Sequence, residues 1–316
     1  MRIGHNQLDS QLGDFEGNLL KVVAGLERAD RESVDIVSFP ECFLTGYPDQ
    51  ADTARRDAFA MDSPQMMRLL DATSRFEAVC IVGFNEIRGA DLYNTAAVIH
   101  KGHLLGRYSK CSAYQPFHKQ GRDFPVFTHK GLTFGVIICS DGGFIEPTRL
   151  LALQGAKIVF APHFNYIGKE GLIGHFMKVR ADHIARAVEN SVYFVRGNNV
   201  SLGKEECISN YDGVGYGDSY IIDPHGEIVV RRVHQQFGFG PPPPAANHRL
   251  DETVGVDRFA GHDVSRVGVV EPGNAERHVE HHAGARARRR ALWAQRRARL
   301  LELQAHAPAH ALGQLL

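Results

Sequence analysis

Leu132-Thr133-Phe134-Gly135-Val136-Ile137-Ile138-Cys139-Ser140-Asp141-Gly142-Gly143 is the stretch on which the reading of this chain turns. From Leu132 to Ile138 it is an apolar, partly β-branched strand, and Ser140-Asp141-Gly142-Gly143 then bends the chain. Residues 146–154 follow with helical spacing and stop at Gly155, and residues 157–161 form another short apolar strand. Strand, helix and strand in that order make a β-α-β unit, the repeating piece of an α/β sheet.

The alternation continues on both sides. Upstream, residues 2–8 begin as a strand, and residues 18–29 carry Leu19, Val22, Val23 and Leu26 on one helical face. Residues 35–39 are a short buried strand stopped by Pro40. Ser63 stands as an N-cap ahead of Pro64 for a helix to residue 76. Residues 78–84 read as a strand, and residues 95–100 with 103–108 as a hairpin about Lys101-Gly102. Downstream, residues 174–190 are a longer helix, 192–196 a strand, and 218–223 with 227–231 a second hairpin about Pro224-His225-Gly226. The mixture predicts an α/β fold, a mixed sheet layered with helices, in one domain over residues 1–236.

Beyond about residue 240 the character changes. Pro241 to Pro244 are consecutive, no lysine follows Lys204, and eleven arginines lie from Arg249 onward. No strand alternation that would extend the sheet stands out after Phe239. Residues 283–304 suggest a basic helix with Leu292, Leu300 and Leu303 as a thin apolar stripe near the single tryptophan, Trp293. Two readings of residues 237–316 stay open: a disordered or partner-bound tail, since such composition buries little, or a stretch read out of frame.

Bulk properties exclude several classes. The 316 residues are 43% hydrophobic and 23% charged with zero net charge, so neither nucleic acid nor an anionic membrane is an expected partner. The arginines of the tail are read as a solvated face. No apolar run reaches the roughly 20 residues that span a bilayer, and a secretory signal is not expected from Met1-Arg2-Ile3-Gly4-His5, which goes straight into a strand-like run. Cys42, Cys80, Cys111, Cys139 and Cys207 are odd in number and form no CxxC pair. That argues against a disulfide framework or a zinc site and for a reducing, cytoplasmic setting.

One cysteine is therefore free to be a nucleophile. Cys139 ends a buried strand at a turn into a helix, where neighbouring amide N–H groups would favour its thiolate and could hold an oxyanion. The other four have no such turn and are read as structural. Glu41 follows the strand 35–39 and Pro40, where partial desolvation suits a general base. Lys110 closes the strand 103–108 and could set positive charge beside a developing oxyanion. Taken singly, a buried thiol, a surface acid and a solvated lysine are the plainer readings. Together they are stronger, because base, cation and nucleophile all fall at strand ends, where an α/β sheet gathers its site.

At these residues the chain resembles the nitrilase superfamily, the carbon-nitrogen hydrolases with a Glu-Lys-Cys triad. Phe39-Pro40-Glu41-Cys42-Phe43-Leu44-Thr45-Gly46-Tyr47-Pro48 is similar to the family's glutamate motif. Leu92-Tyr93-Asn94-Thr95-Ala96 with Gly102, Tyr108 and Lys110 resembles the lysine segment. Ile138-Cys139-Ser140-Asp141, then Phe144, Glu146, Arg149, Gly155-Ala156 and Pro162, resembles the cysteine motif. Arg186-Ala187-Val188-Glu189-Asn190, Gly217-Asp218-Ser219 and Asp223-Pro224-His225-Gly226 complete the series.

The resemblance implies a four-layer α-β-β-α sandwich, homodimeric or a higher homo-oligomer. Glu41 would be the base, Lys110 the stabiliser of the tetrahedral intermediate, and Cys139 the acyl carrier. No metal or cofactor is implied. Cys139-Ser140-Asp141 departs from the Cys-Trp-Glu of true nitrilases, which favours a small-molecule amide or carbamoyl-amide substrate over a nitrile. Arg186–Asn190 and Asp223–Gly226 are expected to be scaffolding, a buried Arg–Glu pair and a hairpin turn. Tyr47 and Asn165 are candidate pocket residues. Family members usually carry a second glutamate between lysine and cysteine, yet residues 110–121 contain no acid. Gln115 and His118 fall nearest that place. The missing charge motivates a second hypothesis, a catalytically impaired member that acts as a binding or assembly protein.

Overall fold

The computed structural model describes residues 1–201, 213–233 and 253–256, all within one compact unit, Met1–Pro272. Its first sheet has six strands, β1 (Ile3–Asn6), β2 (Ile36–Ser38), β3 (Val79–Arg88), β4 (Asp91–His100), β5 (His103–Ser109) and, last in the chain, β14 (Thr253–Val256). The second is built from β6 (Val126–His129), β7 (Leu132–Val136), β8 (Ile158–Pro162), β9 (Tyr166–Gly168), β10 (Tyr193–Gly197), β11 (Val200–Ser201), β12 (Gly213–Ile222) and β13 (Ile228–Val233). Neighbours β1, β2 and β3 run parallel, as do β7, β8 and β10. Parallel neighbours need long crossovers, and helices supply them. These are α1 (Phe15–Arg31) before β2, α3 (Pro64–Thr73) before β3, α4 (Ile145–Leu153) before β8, and α5 (Leu172–Asn190) before β10. A short helix, α2 (Ala51–Asp57), precedes α3.

Alternation along the strands decides the layering. Ile36, Val79, Ile81, Ala96 and Val98 join Phe134, Val136, Phe160 and Val195 in a core between the sheets. Their neighbours Val37, Cys80, Val82, Ala97 and Ile99 face the other way, onto Leu19, Val22 and Leu26 of α1 and Met66 and Leu69 of α3. On the second sheet Gly135 lies against Leu151 of α4, and Phe194 stacks on His183 of α5 with ring centroids 4.4 Å apart. The result is the expected α-β-β-α sandwich.

Helix ends follow local chemistry. Ser63 caps α3, accepting the Met66 N–H at 3.2 Å with Pro64 at the first helical position, as the sequence predicts. Asp14 caps α1, accepting the Gly17 N–H at 2.9 Å. Where the structure departs from expectation, tertiary pairing overrides the local pattern. Strand β3 runs on to Arg88 because β4 pairs it along its length. Strand β6, unforeseen, exists because it pairs antiparallel with β7. The expectation that nothing after residue 239 extends the sheet is overturned, since β14 pairs antiparallel with β1, Ile3 opposite Val256 and Asn6 opposite Thr253. The signal is only Thr253-Val254-Gly255-Val256, too short to stand out, but β1 offers a free edge that four extended residues can satisfy. Cys207, Trp293, the arginine cluster and the helix anticipated at 283–304 lie outside the described residues. Among the described residues no helix is long and apolar enough to cross a membrane.

Burial has a cost in acid. The folded protein desolvates His5, whose pKa falls to about 3, and His118 and His175, which fall to about 4. His163 and His183 are held well below the usual value for the same reason. Each binds its proton more readily once unfolded, so each favours unfolding as pH drops below the unfolded value near 6.5. For the fully buried His5 the loss approaches about 1.4 kcal/mol per pH unit until its own folded pKa is reached, and it is smaller for the partly exposed His175. The urea midpoint of unfolding is therefore expected to fall steeply from pH 6.5 to pH 4, and a flat midpoint over that window would contradict this burial.

Candidate active site

Four segments converge at the ends of the two sheets. Glu41 leaves β2 on a turn in which Cys42 is left-handed (φ 53°). Gly83 of β3 makes room for that turn, because a Cβ there would sit 2.6 Å from the Cys42 nitrogen. Lys110 follows β5 and is tied to β4 by its N–H on the Asn94 carbonyl at 2.8 Å. Cys139 begins a single turn of 3-10 helix after β7 and is itself left-handed (φ 48°), a sharp elbow that lifts its side chain off the sheet. Phe164 and Asn165 follow β8. The first two segments belong to one sheet and the last two to the other. They are joined where the Glu41 N–H meets the His163 carbonyl at 3.2 Å.

The structure brings the three predicted residues together. Glu41 and Lys110 are buried, and Lys110 Nζ donates to Glu41 Oε1 at 2.6 Å. Asn94 Nδ2 donates to the same oxygen at 2.7 Å, and the Phe164 N–H donates to Oε2 at 2.8 Å. The Cys139 thiol lies within electrostatic reach of both Glu41 and Lys110. Burial works against the Lys110 charge, but Glu41 and then Cys139 outweigh it and raise its pKa well above the usual lysine value. The ammonium is thus a permanent cation.

Cys139 does not behave as the turn alone suggests. Burial and the neighbouring Glu41 charge push its pKa up to about 12, against the opposing pull of Lys110 and Arg196. The expectation of a resting thiolate is corrected. The sulfur is a protonated thiol near a carboxylate, so a thiolate would have to be formed by removal of that proton.

Of the expected pocket residues, Asn165 lies beside the sulfur, with Nδ2 at 3.6 Å from Cys139 Sγ. Tyr47 stacks on Phe164 with centroids 4.7 Å apart, and after burial it is the Glu41 charge that raises its phenol pKa. His118 is buried with Nε2 at 2.8 Å from Asn85 Oδ1, and the Cys42 thiol donates to that same oxygen at 3.7 Å. It is a neutral support for the glutamate turn and carries no charge to Lys110. Gln115 gives its carbonyl to the His118 N–H at 3.1 Å, and among the described residues its side chain makes no hydrogen bond to the triad. Neither residue replaces the absent acid. The anticipated hairpin turn is present, the Gly226 N–H closing on the Asp223 carbonyl at 2.9 Å, whereas of the expected buried Arg–Glu pair only Arg186 is buried and its partner Glu189, 3.1 Å away, is exposed at the end of α5.

Sequence reasoning missed three supports. Asn94 clamps the glutamate and lay unremarked inside a quoted motif. Asp141, fully buried, accepts from Tyr108 Oη at 2.7 Å, the Ile138 N–H at 2.9 Å and both the N–H and hydroxyl of Ser112 at 2.8 and 2.7 Å. It thereby locks the loop after Lys110 onto the cysteine turn. The third is Arg196, an arginine buried inside β10, for which a run of Tyr193-Phe194-Val195 gives no warning.

With this geometry in view, residues 2–237 match the carbon-nitrogen hydrolase family, and the chain belongs to that family. It is 28% identical to the glutamine-dependent NAD(+) synthetase of Thermotoga maritima over 244 residues, 72% of this chain and 39% of the synthetase. The chain therefore spans about two fifths of the length of that relative. It is 26% identical to an (R)-stereoselective amidase from Pseudomonas sp., over 72% of this chain and 80% of the amidase. The fold is that of an amidase from Nesterenkonia sp., with a TM-score of 0.60 at 21% identity over 74% of this chain and 86% of that one.

Proposed function

We propose that the chain hydrolyses the amide or carbamoyl-amide bond of a small molecule through a thioester on Cys139. The observation that carries this reading is the buried Glu41 carboxylate, paired with the Lys110 ammonium at 2.6 Å and close enough to the Cys139 thiol for its charge to raise the thiol pKa. Glu41 takes the thiol proton as sulfur attacks the carbonyl carbon, and the carbonyl electrons move onto oxygen. Lys110, always charged, donates to that oxygen in a site poor in water, where such a donor acts most strongly. Collapse breaks the carbon–nitrogen bond, and Glu41 returns the proton to the departing nitrogen so that it leaves as ammonia or an amine. Water, deprotonated by Glu41, then attacks the thioester; the acid departs and the thiol is restored.

The relatives narrow the substrates to try first. Several are named for glutamine dependence and one for amidase activity, and a variant of the Nesterenkonia amidase carries the acetamide moiety of fluoroacetamide on its active-site cysteine. Glutamine and short aliphatic amides head the panel. Exposed Phe144, Ile145, Leu153, Ile173 and Met177 on and beside α4 and α5 support self-association, as the homodimer reading requires. A cytoplasmic setting suits a free nucleophilic thiol.

The absence of an acid in residues 110–121 favours the second reading, a silent binding protein, and one measurement separates the two. Rapid mixing with each amide followed by intact mass is expected to reveal an acyl adduct on Cys139, with ammonia released in step. No adduct and no ammonia across amides, N-carbamoyl compounds and nitriles would leave only the silent reading.

A further inference from the structure

Resting on that reading, we infer that Arg196 is a positioning residue for the nucleophile, because its guanidinium fixes the Asn165 amide with the N–H turned toward the Cys139 sulfur.

Arginine donates hydrogen bonds and never accepts them. Arg196 is buried at 1% exposure, with Nη2 at 2.6 Å from Asn165 Oδ1 and 2.9 Å from Tyr216 Oη. The Tyr216 hydroxyl, having accepted from the arginine, passes its own proton to the same Asn165 oxygen at 3.3 Å. Both contacts require oxygen on that side of the amide, so the Asn165 nitrogen faces Cys139 Sγ, 3.6 Å away. The Asn165 backbone N–H is held at 2.8 Å by Asn199 Oδ1 and at 3.1 Å by Asn198 Oδ1, which fixes the whole residue. An amide with no such partner could turn over and offer its oxygen to the thiol, keeping the proton on sulfur.

The charge is as telling as the direction. Among the described residues Arg196 has no carboxylate partner: Nη1 donates to the carbonyls of Gly217 and Asp218, and Nε has no hydrogen-bond partner. The Asp218 carboxylate is taken by Arg180 at 2.8 Å and Arg231 at 2.6 Å. Other groups around the guanidinium are His5 on β1, His163 just after β8, His175 and His183 on α5, and Tyr216 and Tyr220 on β12, and burial holds all four histidines neutral. Glu41 and Lys110 cancel each other. A buried cation without a counter-ion is costly, several kcal/mol for an isolated ion. A negative charge formed on Cys139 when Glu41 takes its proton relieves that cost. The arginine therefore favours the state of the site in which sulfur is ready to attack.

The test uses iodoacetamide, which reads the sulfur without any substrate, on the full chain at a series of pH values. Arg196→Met is expected to slow Cys139 alkylation by about 10- to 100-fold at neutral pH, the worth of a hydrogen bond to a charged group. Its rate profile shifts to higher pH, kcat falls in proportion, and KM holds. Arg196→Lys, still a donor-only cation, should recover part of the rate. Should Arg196→Met fail to fold, Asn165→Asp serves, since the new carboxylate pairs with Arg196 and keeps the packing while removing the donor to sulfur. It too is expected to shift the profile upward. Alkylation by Arg196→Met or Asn165→Asp indistinguishable from wild type, or a fall in thermal stability with an unmoved profile, overturns the inference. Failure of the amidase reading shows separately, as wild-type protein that alkylates normally but forms no acyl adduct.

Discussion

Cys139→Ala is expected to fold as the wild type does and to release no measurable ammonia from any amide the wild type turns over. Among the described residues the side chain's hydrogen-bond contact is the Asn165 amide at 3.6 Å, so removing sulfur leaves no charge unpaired. Alanine also tolerates the left-handed backbone at 139 about as well as cysteine does. Loss of a nucleophile from a group that works as a unit costs up to about a million-fold in kcat. The ion pair of Glu41 and Lys110 remains and could still orient a water molecule, but water cannot form the thioester. Ammonia release followed alongside thermal unfolding decides the matter: turnover within tenfold of wild type, on a protein of unchanged melting temperature, would remove Cys139 from the mechanism.

The second large effect belongs to Lys110→Met. Lys110 and Glu41 are both buried and 2.6 Å apart, and their charges are mutually necessary. Removing the cation leaves a carboxylate with only the Asn94 amide and the Phe164 N–H to stabilise it, and breaking such a buried pair costs about 3–5 kcal/mol. The variant is expected to unfold at much lower denaturant and to lose at least about a thousand-fold in kcat, since both the oxyanion donor and the orientation of the base go with it. The double variant Glu41→Gln, Lys110→Met removes both charges. It should regain most of the stability and none of the activity. A double variant no more stable than Lys110→Met would mean that the pair is not the reason for the loss.

The sequence made the triad legible because each member ends a strand whose own pattern is strong: Ile36 to Phe39 before Glu41, Leu104 to Tyr108 before Lys110, Phe134 to Ile138 before Cys139. The parallel pairings within the mixed sheets were legible for a related reason, since helices 17 and 19 residues long separate the strands they connect. What stayed hidden depends on partners far along the chain. Asn94 is 53 positions from Glu41, and Arg196 is 31 from Asn165. No local periodicity distinguishes a strand asparagine that clamps a carboxylate from one that merely fits a pleat. Strand β14 was hidden for the same reason, its existence being owed to the edge of β1. The raised pKa of Cys139 could not be read locally either, because burial and the opposing carboxylate are properties of the assembled site and outweigh the turn that suggested a thiolate.

The division of the site between two sheets has a mechanical consequence. Acid and cation hang from one slab and sulfur from the other, so the spacing of the slabs works as a caliper on the reacting atoms. A misplacement of about 1 Å can cost a hundred-fold in rate. Swaps of volume at Ile81 or Val136, deep in the seam and remote from any polar chemistry, should slow turnover by more than their loss of stability alone would account for. On warming, loosening of that seam would extinguish turnover before either slab comes apart.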